Sequence, residues 1–183
     1  MRRIAHTAAP PVAAPATPEA TAIAQAMALC MPEHLSLTVF EQHATAAGWT
    51  TFRTAPNGGH IWRLSDRNAD SVHRVSVAAA SYEMTSAPRP THEFSCKIVL
   101  QPGSPDDLAP SITATFGDNE TDGGFFILEH TTLRPLNFNE ALTPFPASLG
   151  NLQAGQRMVF METTPREGAT IVSIDSFEAT ATH

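Results

Sequence analysis

The stretch WTTFRTAPNGGHIWRLS, residues 49–65, decides the fold of this chain. Two runs rich in aromatic and β-branched residues, Trp49–Ala55 and His60–Ser65, flank Pro56-Asn57-Gly58-Gly59. Asn-Gly takes the positive φ angles of a tight turn at little cost, so the runs predict an antiparallel hairpin. Working outward, Asp66–Asp70 is a polar break and Val72–Tyr82 a β-branched, Ala-rich third strand. Glu83–Pro90 breaks the pattern again with two prolines. His92–Leu100 then alternates, with Phe94, Cys96, Ile98 and Leu100 on one side and Ser95 and Lys97 on the other. The whole predicts a four-stranded meander from Trp49 to Leu100.

Registers centred on the turns set Ile61 beside Val75, Val75 beside Ile98, Val77 beside Cys96 and Ala79 beside Phe94. These residues form one apolar face. The opposite face then gathers Arg53, His60, Trp62, Arg74, Ser76 and Lys97. Cations around an exposed tryptophan suit an anionic or planar ligand, held by charge-assisted bonds and stacking. The same residues also suit a solvated face, or one covered by the second half of the chain. Side chains alternate with period 2, so an odd slip in any register would move this set to the other side.

Ahead of the meander, Thr17-Pro18-Glu19 is a helix start: a capping threonine, proline in the first turn and an acid facing the dipole. Ile23, Ala26, Met27 and Cys30 make one stripe, and Pro32 ends that helix. A second begins at Ser36, carries Leu37, Phe40, Ala44 and Ala47, and closes at Gly48. After Leu100, residues 101–110 read as a Pro- and Asp-rich loop, and Ser111–Phe116 and Phe125–Glu129 as strands around an acidic turn. Arg157–Thr163 and Ala169–Glu178 read as a final hairpin around Pro165-Arg166-Glu167-Gly168. The expected fold is α+β: two N-terminal helices packed on an antiparallel meander (about 49–100) that a second β-rich half extends. Residues 1–17 read as a low-complexity Ala/Pro leader and 18–180 as a single domain.

A net charge of −7 argues against general nucleic-acid binding, which needs a basic footprint to neutralise phosphates. No run approaches the ~20 apolar residues of a membrane span. Lys97 is the one lysine among eleven basic residues, a bias that, with the abundant alanine, points to a GC-rich bacterial genome. Cys30 and Cys96 both fall on apolar faces. They read either as two buried thiols or as a disulfide tying helix to sheet, which would imply an exported protein. Export is favoured over the cytoplasm, although His6, Thr7 and Pro10-Pro11 interrupt any apolar core of a secretion signal.

Few motifs carry chemistry. Asp118-Asn119-Glu120-Thr121-Asp122-Gly123, followed by Glu129, is similar in spacing to the EF-hand calcium loop. That resemblance covers twelve residues and implies Asp118, Glu120 and Asp122 as oxygen ligands, Gly123 as the sharp turn and Glu129 as a bidentate ligand. Glu120 stands where Asp or Asn is usual, and an acidic hairpin turn accounts for the same residues. The eight histidines show no zinc-ligand spacing, and G-x-S-x-G is absent. The first expectation is therefore a non-enzymatic binding or interaction module for an anionic or aromatic ligand or a protein partner. The second is a small hydrolase with His60, His92 or His130 as base, in a site between the two halves. The third is a calcium-stabilised domain with no other cofactor.

Overall fold

The computed structural model describes residues 17–31, 35–54, 60–64, 74–84, 91–117, 123–129, 131–136, 152–153 and 155–179. The opening hairpin is present as β1 (Trp49–Thr54) and β2 (His60–Leu64). β3 (Val75–Met84) and β4 (Thr91–Leu100) complete the meander. α1 (Pro18–Cys30) starts where the capping residues predict: the Thr17 hydroxyl accepts the Ala20 N–H at 3.1 Å. Ile23, Ala26, Met27 and Cys30 form its buried stripe. α2 (Leu37–Ala46) buries Phe40 and Ala44, and Gly48, at φ 85°, turns the chain into β1. Only glycine takes that φ freely, which explains why the helix stops there.

Beyond Leu100 the expectation fails at residues 101–116, and Thr132–Pro135, irregular by its sequence, is a strand. Residues 105–116 form a third helix, α3 (Pro105–Phe116), not a loop followed by a strand. The start signal is strong once recognised. Pro105 occupies the first turn, Asp106 and Asp107 face the helix dipole, and Asp107 Oδ2 accepts the Ser104 N–H at 2.9 Å. Leu108, Ile112 and Phe116 recur every four residues and are buried. Pro110, which costs a helix interior about 3 kcal/mol, hides the pattern.

The second half adds β5 (Gly123–Glu129), β6 (Thr132–Pro135), β7 (Gln156–Arg166) and β8 (Ala169–Ala179). The final hairpin is present and tighter than expected, with Arg166 paired to Ala169 around Glu167-Gly168. All eight described strands join in one antiparallel sheet of order β1-β2-β3-β4-β8-β7-β5-β6. β8 therefore lies between β4 and β7 and welds the two halves together. The fold is α+β as expected.

The helices cover one sheet face. There Ile23, Met27, Phe40, Leu108 and Ile112 meet Val77, Phe94, Ile98, Val172, Ile174 and Phe126 in a single core. Each aliphatic or aromatic side chain buried this way contributes about 1.5–3 kcal/mol. Cys30, the last residue of α1, is bonded to Cys96 of β4 across a separation of 66 residues, and both are fully buried. Of the two readings of the cysteines, the disulfide holds. The leader expected at 1–17 lies outside the described residues except for Thr17.

Candidate functional site

The register decides which residues share the outer sheet face, the one turned away from α1–α3. Between β3 and β4, Val77 pairs with Ile98 and Ala79 with Cys96. That is a slip of two residues from the centred register, and an even slip leaves every side chain on its expected face. Between β2 and β3, Ile61 pairs with Ala78 where the centred register put Val75. This slip of three is odd, so β2 is turned over. Trp62 pairs with Val77 and enters the core, 5% exposed, with its ring edge-on to Phe40 at 5.9 Å. The exposed tryptophan expected from the sequence is thus corrected to a core residue. His60 follows it and stacks on Trp62 at 6.2 Å.

Arg74 also leaves the expected set. It sits just before β3, donates from Nε to the Pro102 carbonyl at 2.7 Å and pairs with Glu19 at 2.9 Å. It pins the start of α1 and the approach to α3, a structural position. Arg53 and Lys97 do share the outer face and are exposed.

What joins them was not visible in the sequence. Arg63, turned outward by the odd register, lies 3.9 Å over the ring of Phe52, and Phe52 is 58% exposed. A bulge between Thr51 and Arg53 swings Phe52 to this side. The paired registers then set out rows across the outer face. One row runs Arg53, Ile61, Ala78, Lys97, Ser173, Glu162 from β1 to β7. The next placed rows run Ala80, Ser95, Asp175, Phe160 and then Tyr82, Glu93, Phe177, Met158. The face is cationic and aromatic at β1–β2, floored by small residues at β3–β4, and acidic toward β8 and β7. Its far end is closed: Leu152 packs with Ile127, Met158 and Phe177 in a second, smaller core.

Glu93 and Asp175 lie diagonally across β4 and β8 on this face. Burial, and then the neighbouring Asp175 charge, raise the Glu93 carboxyl above its ordinary value. An acid whose pKa is raised on folding binds more protons folded than unfolded, so stability falls as pH rises through that window. Glu93→Gln should therefore stabilise the protein at pH 7 by a fraction of a kcal/mol to about 1 kcal/mol. The gain should vanish below the ordinary Glu value, about pH 4. Urea midpoints at the two pH values test this. An equal effect at both would show that the carboxyl is not perturbed.

One constellation has the order of a hydrolase triad. Ser81 Oγ is 2.9 Å from His92 Nε2, and Glu83 Oε1 is 2.6 Å from His92 Nδ1. The same Nε2 also contacts the Leu35 carbonyl oxygen, which can only accept. In this arrangement Nε2 donates to the Leu35 oxygen and Nδ1 to the Glu83 carboxylate, so Nε2 offers no lone pair to take the proton of Ser81. His92 accordingly ties the segment before α2 to β3 and β4, and does not serve as a base in this arrangement. A groove of 280 Å³ between α1 and α3 is lined by Ala24, Met27, Met31, Pro110 and Ala114 among others, with no histidine or carboxylate among the described residues. His130 lies outside the described residues.

The acidic loop fares differently. Asp118, Glu120 and Asp122 lie outside the described residues. Gly123 to Glu129 are all β5, so Glu129 is about 20 Å from Gly123 at ~3.3 Å per residue. The stretch is therefore extended, unlike the curled loop that the EF-hand spacing implies. Gly123 is needed for another reason: at φ 146° a Cβ there would stand 2.7 Å from the Met161 carbonyl oxygen. Among the described residues no group of three His, Cys, Asp or Glu side chains is placed to hold a metal. No protein-family model, curated protein or solved structure matches the chain, so the outer face is read from its own residues.

Proposed function

We propose that this protein is a non-enzymatic interaction module whose outer face at β1–β4 takes an anionic or aromatic ligand or a protein partner. The observation that carries this reading is Phe52, 58% exposed and capped by the Arg63 guanidinium, with Arg53 and Lys97 exposed on the same face. An exposed aromatic beside cations offers stacking and charge together, the combination enriched where proteins bind. The small residues Ala78, Ala80 and Ser95 between them leave room for a flat group to lie on the strands. Of the residues expected from the sequence, Arg53 and Lys97 belong to this face; His60, Trp62 and Arg74 support the fold beside it. The Cys30–Cys96 disulfide is compatible with an oxidising compartment outside the cytoplasm, which fits a bacterial periplasmic or secreted protein. Described helices include none long and apolar enough to cross a membrane.

Amide shift mapping with an anionic aromatic probe, anilinonaphthalene sulfonate, tests the proposal. Shifts should concentrate on Phe52, Arg53, Ile61, Arg63 and Lys97 and fade with added salt. Phe52→Ala should weaken the probe by roughly fivefold to tenfold, the loss of one stacked aromatic contact of about 1 kcal/mol. Shifts confined to the α1–α3 groove would sink the reading.

A further inference from the structure

We infer that the partner of the outer face is a second copy of this chain, related by a twofold axis that runs along the strands between β3 and β4. The inference rests on the reading of this face as a binding surface and adds the identity of what binds. Its ground is charge complementarity of the face with itself. An axis parallel to the strands keeps each row in register and reverses the strand order, so β1 lies over the partner's β7 and β3 over the partner's β4. In one row Arg53 then meets the partner's Glu162, and both residues are exposed. In another, Tyr82, 43% exposed, meets the partner's Glu93 and can donate its hydroxyl proton to that carboxyl. Each contact occurs twice, as an isologous interface requires.

The other symmetric choices are worse. An axis across the strands puts β1 over the partner's β1, cation on cation, and the acids of β8 and β7 over themselves. An axis between β4 and β8 puts β3 over the partner's β7 and β4 over its β8, where Leu152 already covers Met158 and Phe177. With the axis at β3 and β4, the Leu152 cap lies past Thr54 and His60, the last described residue of β1 and the first of β2, and so meets no described strand. Near the axis, Lys97 faces the partner's Ala78. That methyl leaves room for the ammonium to turn toward Asp175, diagonal to it on its own sheet. Packed sheets stand ~10 Å apart, a gap that an arginine and a glutamate together bridge.

Six strands in the Arg53 row and four in each of the next two, at ~4.8 Å by ~7 Å, give a patch on the order of 500 Å² per copy. That lies at the low end of specific interfaces, so the dimer should be reversible, with Kd of about 10–100 µM. Sedimentation equilibrium over about 1 µM to 1 mM tests it on the full chain. Arg53→Glu and Glu162→Arg should each weaken association about tenfold or more, and the double variant should restore it, since the pair is merely exchanged. Circular dichroism checks that each variant folds. A monomer at ~1 mM, or a dimer indifferent to both single changes, would overturn the inference. In the first case, probe shifts retained at Phe52 and Lys97 would leave the binding face standing. Their loss as well would remove both readings.

Discussion

Replacing Cys30 and Cys96 together by alanine is expected to cost roughly 4 kcal/mol, the chain-entropy value for a loop of this length. The bond closes 66 residues that hold α2 and β1 to β3, so without it the unfolded chain gains most of the freedom the link removed. Alanine is the informative substitute. Both positions are fully buried, and serine would add the separate cost of burying a hydroxyl. A domain of this size holds about 5–15 kcal/mol in all, so the variant should unfold at a much lower urea concentration, with a steeper slope because the unfolded chain, no longer cross-linked, exposes more surface. Wild type with excess dithiothreitol in the urea should follow the same curve. Coincident curves with and without reductant would show that the cross-link does not form in solution.

Phe40→Ala should do comparable damage by a different route. The ring is fully buried between Trp62 and Phe94, 5.9 Å from each, where α2 meets the sheet. Removing it empties a space walled by rigid aromatic rings and β-sheet backbone, which cannot collapse far. The expected cost is about 3–5 kcal/mol, the range for phenylalanine truncation in a core. Melting should fall by ~10 °C, at 2–4 °C per kcal/mol for a chain of this length. Phe40→Leu keeps most of the volume and should lose less than half as much. Tryptophan emission reads the same event, because Trp62 gains access to water when the ring goes. Full stability in Phe40→Ala would mean that α2 does not dock where the structure places it.

Much of this fold was legible because local signals agreed. Asn57-Gly58 marked the first hairpin, Thr17-Pro18 opened α1, and Phe94, Cys96, Ile98 and Leu100 declared the buried side of β4. What escaped was parity. Ten residues separate Leu64 from Val75, and nothing in them says which β3 residue will face Ile61. The pairing settled three residues from the centred guess, and an odd number was enough to carry Trp62 inside and Arg63 outside. The energetic reason is plain in hindsight. A tryptophan gains far more from the Phe40 cluster than an isoleucine at the same place, and Ile61 can tolerate a half-covered surface. The bulge that exposes Phe52 has no sequence mark either, since bulges answer to the partner strand. α3 was missed because three prolines, at 102, 105 and 110, outweighed the Leu108, Ile112, Phe116 spacing.

The insertion of β8 between β4 and β7 sets the order of events on the ribosome. Until residues 169–179 have left the exit tunnel, β4 has a neighbour on one side only. For the whole time that residues 101–168 are being made, the nascent meander therefore presents a ten-residue row of unpaired backbone groups. Such an open edge is a template for pairing with other chains, and long-range closure of this kind is slow. Newly made protein is thus most exposed to aggregation just before its last hairpin emerges.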